Sequence, residues 1–298
     1  MSTPSNTVPG SPLESQVTAP AVITASRRMY WSVRRELWEH RSIYIAPLAA
    51  AAVSLFGFSA GLMLSPAHRH QPLDVPYEFA GVLIMGTGFI VGIFYSLDAL
   101  YGERRDRSIL FWKSLPVSDF TTVLSKFAIP LVILPLLSFA IAVVTQLVML
   151  LLSSAVLLGS GLSVGTLGAR MSFFHMSLML LYHILTVHGL WYAPIYGWLL
   201  LVSAWAPRAP FLWAFLPPFV IWGVEKIAFR TSHFLGTLQY RFIGPQPSNT
   251  APGGTLMDML SAVTPVQFFS TPGLWVGLAV AAIFLAAAVR LRRYREPI

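Results

Sequence analysis

Long apolar stretches alternate with short polar segments along most of this chain. Six stretches approach or exceed the roughly 18 to 20 residues that an α-helix needs to cross a bilayer core. Because a backbone in lipid must satisfy its own hydrogen bonds, the pattern predicts helices rather than isolated strands. The chain is therefore predicted to be an all-α integral membrane protein, with a transmembrane domain over residues 42–290. The predicted spans are residues 43–64, 79–100, 127–152, 173–205, 211–229 and 274–289.

Residues 24–41, before the first span, have a different pattern. Met29, Val33 and Leu37 recur every four residues, and arginines supply the polar side. The pattern indicates an amphipathic helix in the inner headgroup layer, and the alternative is an ordinary basic flank of the first span. Residues 1–23 are rich in Ser, Pro and Thr and predict a disordered tail, and residues 291–298 form a basic tail.

Composition and charge agree with a membrane protein. The chain of 298 residues is 55% apolar and only 11% charged, whereas soluble domains carry about 25% charged residues. The net charge of +8 does not indicate nucleic-acid binding, because the arginines lie at the ends of apolar segments, where lipid headgroups are. The chain has no cysteine, which excludes disulfides, thiolate nucleophiles and cysteine metal sites.

The distribution of basic residues predicts the orientation. With the N-terminus inside, 15 of the 20 Lys and Arg residues lie on the cytoplasmic side. Both termini are then cytoplasmic, and residues 230–273 form the longest outer loop, with several Gly-Pro and Pro-Gly turn signals.

The cytoplasmic loop 101–126 is charged but also carries exposed-looking apolar residues. Its pattern predicts a short helix that ends before Pro116. Trp, Phe and Arg are typical anchors of protein interfaces, so the loop predicts a docking surface for a cytoplasmic partner. The alternative is a hydrophobic hairpin that rests on lipid. The residues predicted at this surface are Arg104, Arg105, Ile109, Phe111, Trp112 and Lys113.

No catalytic or metal site is predicted. None of the three lysines follows a glycine-rich turn, so the chain has no phosphate-binding loop. On an α-helix, His175 and His183 lie about 80° apart, and His183 and His188 about 140° apart. They share no face, so we expect hydrogen bonds to neighbouring helices rather than a bound metal.

Prolines interrupt the third, fourth and fifth spans, and aromatic residues are dense on the fourth and fifth. A proline inside a helix removes a hydrogen bond and bends it, which allows either hinges along a substrate path or simple packing geometry. The aromatic residues are either interface anchors or the lining of a cavity for a lipophilic or amphipathic molecule. The candidate residues of such a path are Pro130, Pro135, Pro194, Trp191, Tyr192 and Tyr196.

The whole pattern resembles the membrane (permease) subunit of bacterial ABC-2 type ABC transporters. The resemblance includes the basic helix around Arg34-Arg35-Glu36-Leu37-Trp38, the six spans, the outer region before the last span and, most specifically, residues 103–118. It implies that a coupling helix between spans 2 and 3 rests on a separate cytoplasmic ATPase. That partner would bind ATP and Mg²⁺, and this chain would hold no cofactor and be no enzyme.

The resemblance further implies a bacterial inner membrane location, export, and pairing with a second permease subunit as a homo- or heterodimer. Two other classes of function remain. One is a non-transporting membrane anchor or sensor that recruits an ATPase. The other is a membrane enzyme that uses the histidines of the fourth span.

Overall fold

The described part of the chain is a bundle of helices. The structure is a computed structural model that describes residues 24–64, 74–114, 117–159, 173–243 and 265–294, and these residues form no strand. We number the α-helices in chain order. They are α1 (Ala25–Glu39), α2 (Ser42–Leu64), α3 (Asp74–Asp98), α4 (Tyr101–Arg105), α5 (Ser108–Ser114), α6 (Asp119–Ala128), α7 (Leu134–Gly159), α8 (Phe173–His183), α9 (Ala193–Trp205), α10 (Pro210–Val224), α11 (His233–Ile243), α12 (Pro265–Ser270) and α13 (Pro272–Tyr294).

Among the described residues, 5 helices are long and apolar enough to cross a membrane. They extend over Ser42–Met63, Val75–Arg105, Asp119–Val156, Pro210–Phe229 and Pro272–Tyr294. Each overlaps one predicted span, which confirms the apolar helical elements. The helix that contains the third span begins at Asp119 rather than at residue 127, because charged residues of the predicted loop form its first turns.

The fourth predicted span is a pair of helices instead of one straight helix. A π-helical turn, Ile184–Trp191, continues α8, and α9 follows at an angle of 44°. Pro194 lies in the first turn of α9, where its missing N–H costs no helical hydrogen bond. Pro130 lies in a second π-helical turn, Ile129–Ile133, and Pro135 in the first turn of α7, whereas α10 runs through Pro217 and Pro218.

The core lies where α3, α7, α9 and α13 pack together. Gly197 of α9 lies against the backbone of Ala281 in α13, where an added Cβ would be 3.4 Å from the Ala281 Cα. Gly88 of α3 is closer still to α7, because an added Cβ would lie 2.5 Å from the Ser138 Oγ. By contrast, α10 is peripheral, and only 6% of its most apolar stretch is buried.

Close packing at Gly88 gives a test of this helix pairing. We expect Gly88→Ala to lower the free energy of unfolding by about 1–3 kcal/mol, as overpacked cores do. Gly86→Ala, two residues away on the same helix, is the matched control, because nothing lies within 4 Å of an added Cβ there. Thermal unfolding of both variants in detergent measures the difference. Equal melting temperatures for the two variants would contradict the packing of α3 on α7.

Candidate functional site

Six charged side chains meet at one end of the bundle, where α1, α4, α6 and α13 converge. We call this group the charge network, and it consists of Arg35, Glu36, Glu103, Asp119, Lys126 and Arg292. Four of these residues are almost completely buried, with exposures of 0% for Glu36, 1% for Lys126, 4% for Arg292 and 8% for Glu103. Buried charges at this density are uncommon in proteins and must be paired to be stable.

Glu36 and Lys126 form the centre of the network. The Lys126 Nζ lies 2.9 Å from Glu36 Oε1 and 3.1 Å from Glu36 Oε2. The Tyr95 hydroxyl donates to Glu36 Oε2 at 2.8 Å, so α3 also contributes. This pair therefore fastens the helix that precedes the first span to the start of the third.

Glu103 extends the network to the last helix of the bundle. Its Oε1 lies 3.2 Å from Lys126 Nζ, and its Oε2 accepts from Arg292 Nη2 at 3.1 Å. Arg292 also donates to Asp119, at the N-terminus of α6. The ends of four helices are thereby connected through ionised groups alone.

Electrostatics favour the ionised state of the network. Its three acids and three bases balance in charge. Burial alone would raise the pKa of the Glu36 carboxyl, but the positive charges of Lys126 and Arg35 hold that pKa at about 2. Burial likewise opposes the charge of Arg35, and its carboxylate neighbours, Glu36 first, raise the Arg35 pKa instead. Removal of one partner would leave an uncompensated buried charge.

Arg104 does not lie at the exposed rim where the sequence predicted it. The side chain is 3% exposed, and its Nη2 donates to the carbonyl oxygens of Ser203 at 2.9 Å and Ala206 at 2.6 Å. These are among the last carbonyls of α9, which have no partner within the helix. Arg104 therefore caps α9 from inside the bundle.

The short helix α5 lies beside the charge network and is amphipathic. Leu110 and Phe111 are each 60% exposed, whereas Ile109 is only 2% exposed and packs inward, so the prediction that it faces solvent was wrong. Arg105, paired with Asp106 at 3.0 Å, is exposed as predicted. Lys113 belongs to α5, but its side chain lies outside the described part, as do residues 115–116.

Trp112 connects α5 to the charge network. The Arg35 guanidinium lies over the indole, 3.9 Å from the ring centroid, and the Phe111 ring meets the same indole edge-on at 4.9 Å. Arg35 also contacts Glu103 at 3.5 Å. The exposed apolar surface of α5 is therefore linked to the buried charge network through two side chains, Trp112 and Arg35.

The candidate path residues of the fourth span are tightly packed. Trp191 and Tyr196 are both 0% exposed. Tyr196 lies beside Pro130 and Gly92, and Tyr192 donates to the carbonyl of Phe242 at 2.9 Å. Trp191 donates to the carbonyl of Arg241 at 2.9 Å and stacks under its guanidinium. Tyr196 and Pro130 are thus brought together, and their role as a substrate path stays a prediction.

The histidines of the fourth span required a correction. His183 and His188 were expected on different faces, but their rings lie 6.0 Å apart. The π-helical turn between them explains this, because its hydrogen bonds join residues five apart. The His175 side chain lies outside the described part. Two imidazoles alone supply fewer ligands than the three or four of known zinc sites.

A second group with metal-binding atoms lies in and beside α1. Glu36, Glu39 and His40 each place one such atom within 4.8 Å of the others. Glu36 is already neutralised by Lys126 and Arg35, which compete with a cation for its oxygens. The chemistry of this group is therefore that of an ion-pair contact rather than of a metal site.

Sequence reasoning missed the charge network as a site. Its signal was present in α1, where Glu36 lies close to the apolar face that Met29 and Val33 define. Asp119 and Lys126 are seven residues apart and so share one face of a helix.

No protein-family model, curated protein or solved structure matches this chain.

The contact between Glu36 and Lys126 can be tested with a double-mutant cycle. We expect Glu36→Gln and Lys126→Met each to lower the free energy of unfolding by about 3–5 kcal/mol, because each leaves the buried charge network with one uncompensated charge. The double variant restores the charge balance and should lose less than the sum of the two. Chemical unfolding in detergent measures all three variants. Additive losses would contradict direct pairing.

Proposed function

We propose that this chain is the membrane-spanning permease subunit of an ATP-driven transporter of the ABC-2 type. The observation that carries the proposal is the continuous contact from exposed α5, through Trp112 and Arg35, to the charge network. An ATP-driven transporter built on a chain without a phosphate-binding loop needs a separate ATPase. Helix α5 suits the transmission of force, because it is exposed, apolar and linked through Trp112 and Arg35 to a charge network that joins several helices.

Force follows the contacts in a defined order. The ATPase subunit docks on Leu110 and Phe111, which are the exposed apolar residues of α5. Displacement of α5 moves Trp112. Because the Arg35 guanidinium stacks on the Trp112 indole, Arg35 of α1 moves with it. The Glu36–Lys126 pair passes the displacement to α6. The π-helical turn at Ile129–Ile133 then lets α6 move relative to α7.

Topology supports the proposal. When the bent pair of α8 and α9 counts as one span, the described residues supply up to six candidate spans, and an even number of crossings would put both ends of the chain on one side of the membrane. Contacts join α1, α4, α6, the end of α9 and the end of α13. The positive-inside rule identifies that side as the cytoplasmic one, because it carries 15 of the 20 Lys and Arg residues in the predicted orientation.

The complete transporter contains more than this chain. Two permease subunits, identical or different, act with two cytoplasmic ATPase subunits that bind ATP and Mg²⁺, in a bacterial inner membrane. The direction is export, and the substrate is amphipathic if Tyr192 and Tyr196 line its path. These features rest on the resemblance of the chain to ABC-2 permeases.

A second candidate is a non-transporting membrane anchor that recruits an ATPase. The complete burial of Trp191 and Tyr196 favours it, because no substrate can pass a packed core without rearrangement. ATP-dependent uptake of an amphipathic dye by inside-out vesicles separates the two candidates. Uptake requires a permease, whereas an anchor gives ATP hydrolysis without uptake.

Docking on α5 is tested by ATP hydrolysis in the complex purified from native membranes. We expect Leu110→Ala with Phe111→Ala to lower the co-purified ATPase activity at least about tenfold, because exposed apolar anchors dominate interface energy. The variant should still insert into the membrane, since both side chains point away from the bundle.

Ile227→Ala with Phe229→Ala is the matched control for that experiment. These apolar residues are 85% and 72% exposed and belong to the far end of the Pro210–Phe229 helix. This variant should keep its ATPase. Wild-type protein without associated ATPase, or an unchanged activity in the α5 variant, would contradict the proposed function.

A further inference from the structure

One face of α1 points away from the bundle and carries only aromatic and basic side chains. We call it the outer arc, and it consists of Arg27, Tyr30, Trp31, Arg34 and Trp38. At 100° per residue these five side chains cover about 100° of the helix, on the side opposite Glu36. Tyr30, Trp31 and Trp38 are 58%, 49% and 66% exposed, although aromatic residues of this size are usually buried.

Arg34 occupies the middle of the outer arc between two indoles. Its guanidinium carbon lies 5.1 Å from the Trp31 ring centroid and 4.7 Å from that of Trp38. In the described part of the chain, these two rings are its recorded partners. A guanidinium stacked on aromatic faces keeps its N–H donors at the edge, where they can bind a phosphate bidentately.

The position of α1 determines what the outer arc can reach. The first candidate span begins at Ser42, three residues after the end of α1. The helix is therefore fixed at the membrane boundary, where indole rings and arginines both find their preferred environment. A lipid headgroup is the phosphate available at that depth.

Charge selects among the lipids. The outer arc holds two arginines and no acid. The two acids of α1 face elsewhere, with Glu36 buried in the charge network and Glu39 3.6 Å from Arg35. A zwitterionic headgroup offers no net charge to this surface, whereas an anionic headgroup does.

We propose that the outer arc of α1 binds the headgroups of anionic phospholipids. The Trp31–Arg34–Trp38 stack holds the phosphate, and the indoles anchor the helix at the level of the headgroups. Because Glu36 is on the other side of the same helix, bound lipid also steadies Arg35 and Glu36, the two residues that α1 supplies to the charge network. The proposal is independent of the transport function.

Photocrosslinking tests the proposal with the full chain in phosphatidylcholine vesicles. The probes are phosphatidylglycerol and phosphatidylcholine with the same photoreactive acyl chain, at equal tracer amounts, and mass spectrometry counts the adducts on residues 24–41. We expect α1 to favour phosphatidylglycerol by at least about fivefold, since each arginine near the surface contributes about that factor. High salt should reduce the preference in the wild-type protein, which needs no variant.

Variants show which residues cause the preference of α1 for phosphatidylglycerol. Arg27→Gln with Arg34→Gln should lower it at least about fivefold at α1. Arg290→Gln with Arg293→Gln is the control, because it removes two exposed charges from α13, and it should keep the preference at α1. Equal labelling by both lipids in the wild-type protein, no change in the first variant, or an equal loss in the control would overturn the proposal. Protection of α1 from both lipids by the ATPase would also overturn it, because the outer arc would then be a protein interface.

Discussion

Lys126 carries an ammonium group at a place that water hardly reaches, and the arrangement of the surrounding helices follows from how that charge is neutralised. Glu36 of α1 and Glu103 of α4 both contact its Nζ, and Glu103 passes the connection on to Arg292 of α13. Because a buried charge without a partner is costly, these helices cannot separate freely. Apolar contacts in the bundle tolerate sliding far better, since they have no fixed direction. The charge network is thus the stiffest connection at this end of the molecule.

Stiffness at one end and bending farther along the chain together suit the transmission of force. A π-helical turn at Ile129–Ile133 lies between α6 and α7, and another at Ile184–Trp191 lies between α8 and α9. In the proposed mechanism, a displacement that enters through α5 moves α1 and α6 together and is taken up at the π-helical turn next to Pro130. The same geometry serves a permease, in which bending opens a path, and an anchor, in which it does not.

Hydropathy predicted the apolar helices because length and composition alone define them. It did not predict that the helix containing the third span begins as early as Asp119, since Asp119 and Lys126 are charged and are stabilised there by partners in α13, α1 and α4. The face of α5 that points inward could not be predicted, because Ile109, Leu110 and Phe111 are consecutive apolar residues and only Ile109 is buried. The contact of His183 with His188 was missed because a π-helical turn shifts the angular spacing of an α-helix. A hydrophobic pattern along the chain shows neither contacts between residues distant in sequence nor irregular helical turns.

Rigid movement of α1 with α6 is the central claim, and a spin-label distance measures it directly. The chain has no cysteine, so labels attach only where Cys is introduced. Labels at residues 30 and 120 report on the connection through the charge network, and labels at residues 120 and 144 span the π-helical turn. In the complex with the proposed ATPase, ATP should leave the 30–120 distance unchanged and shift the 120–144 distance. A shift in the first distance with a constant second one would contradict the account.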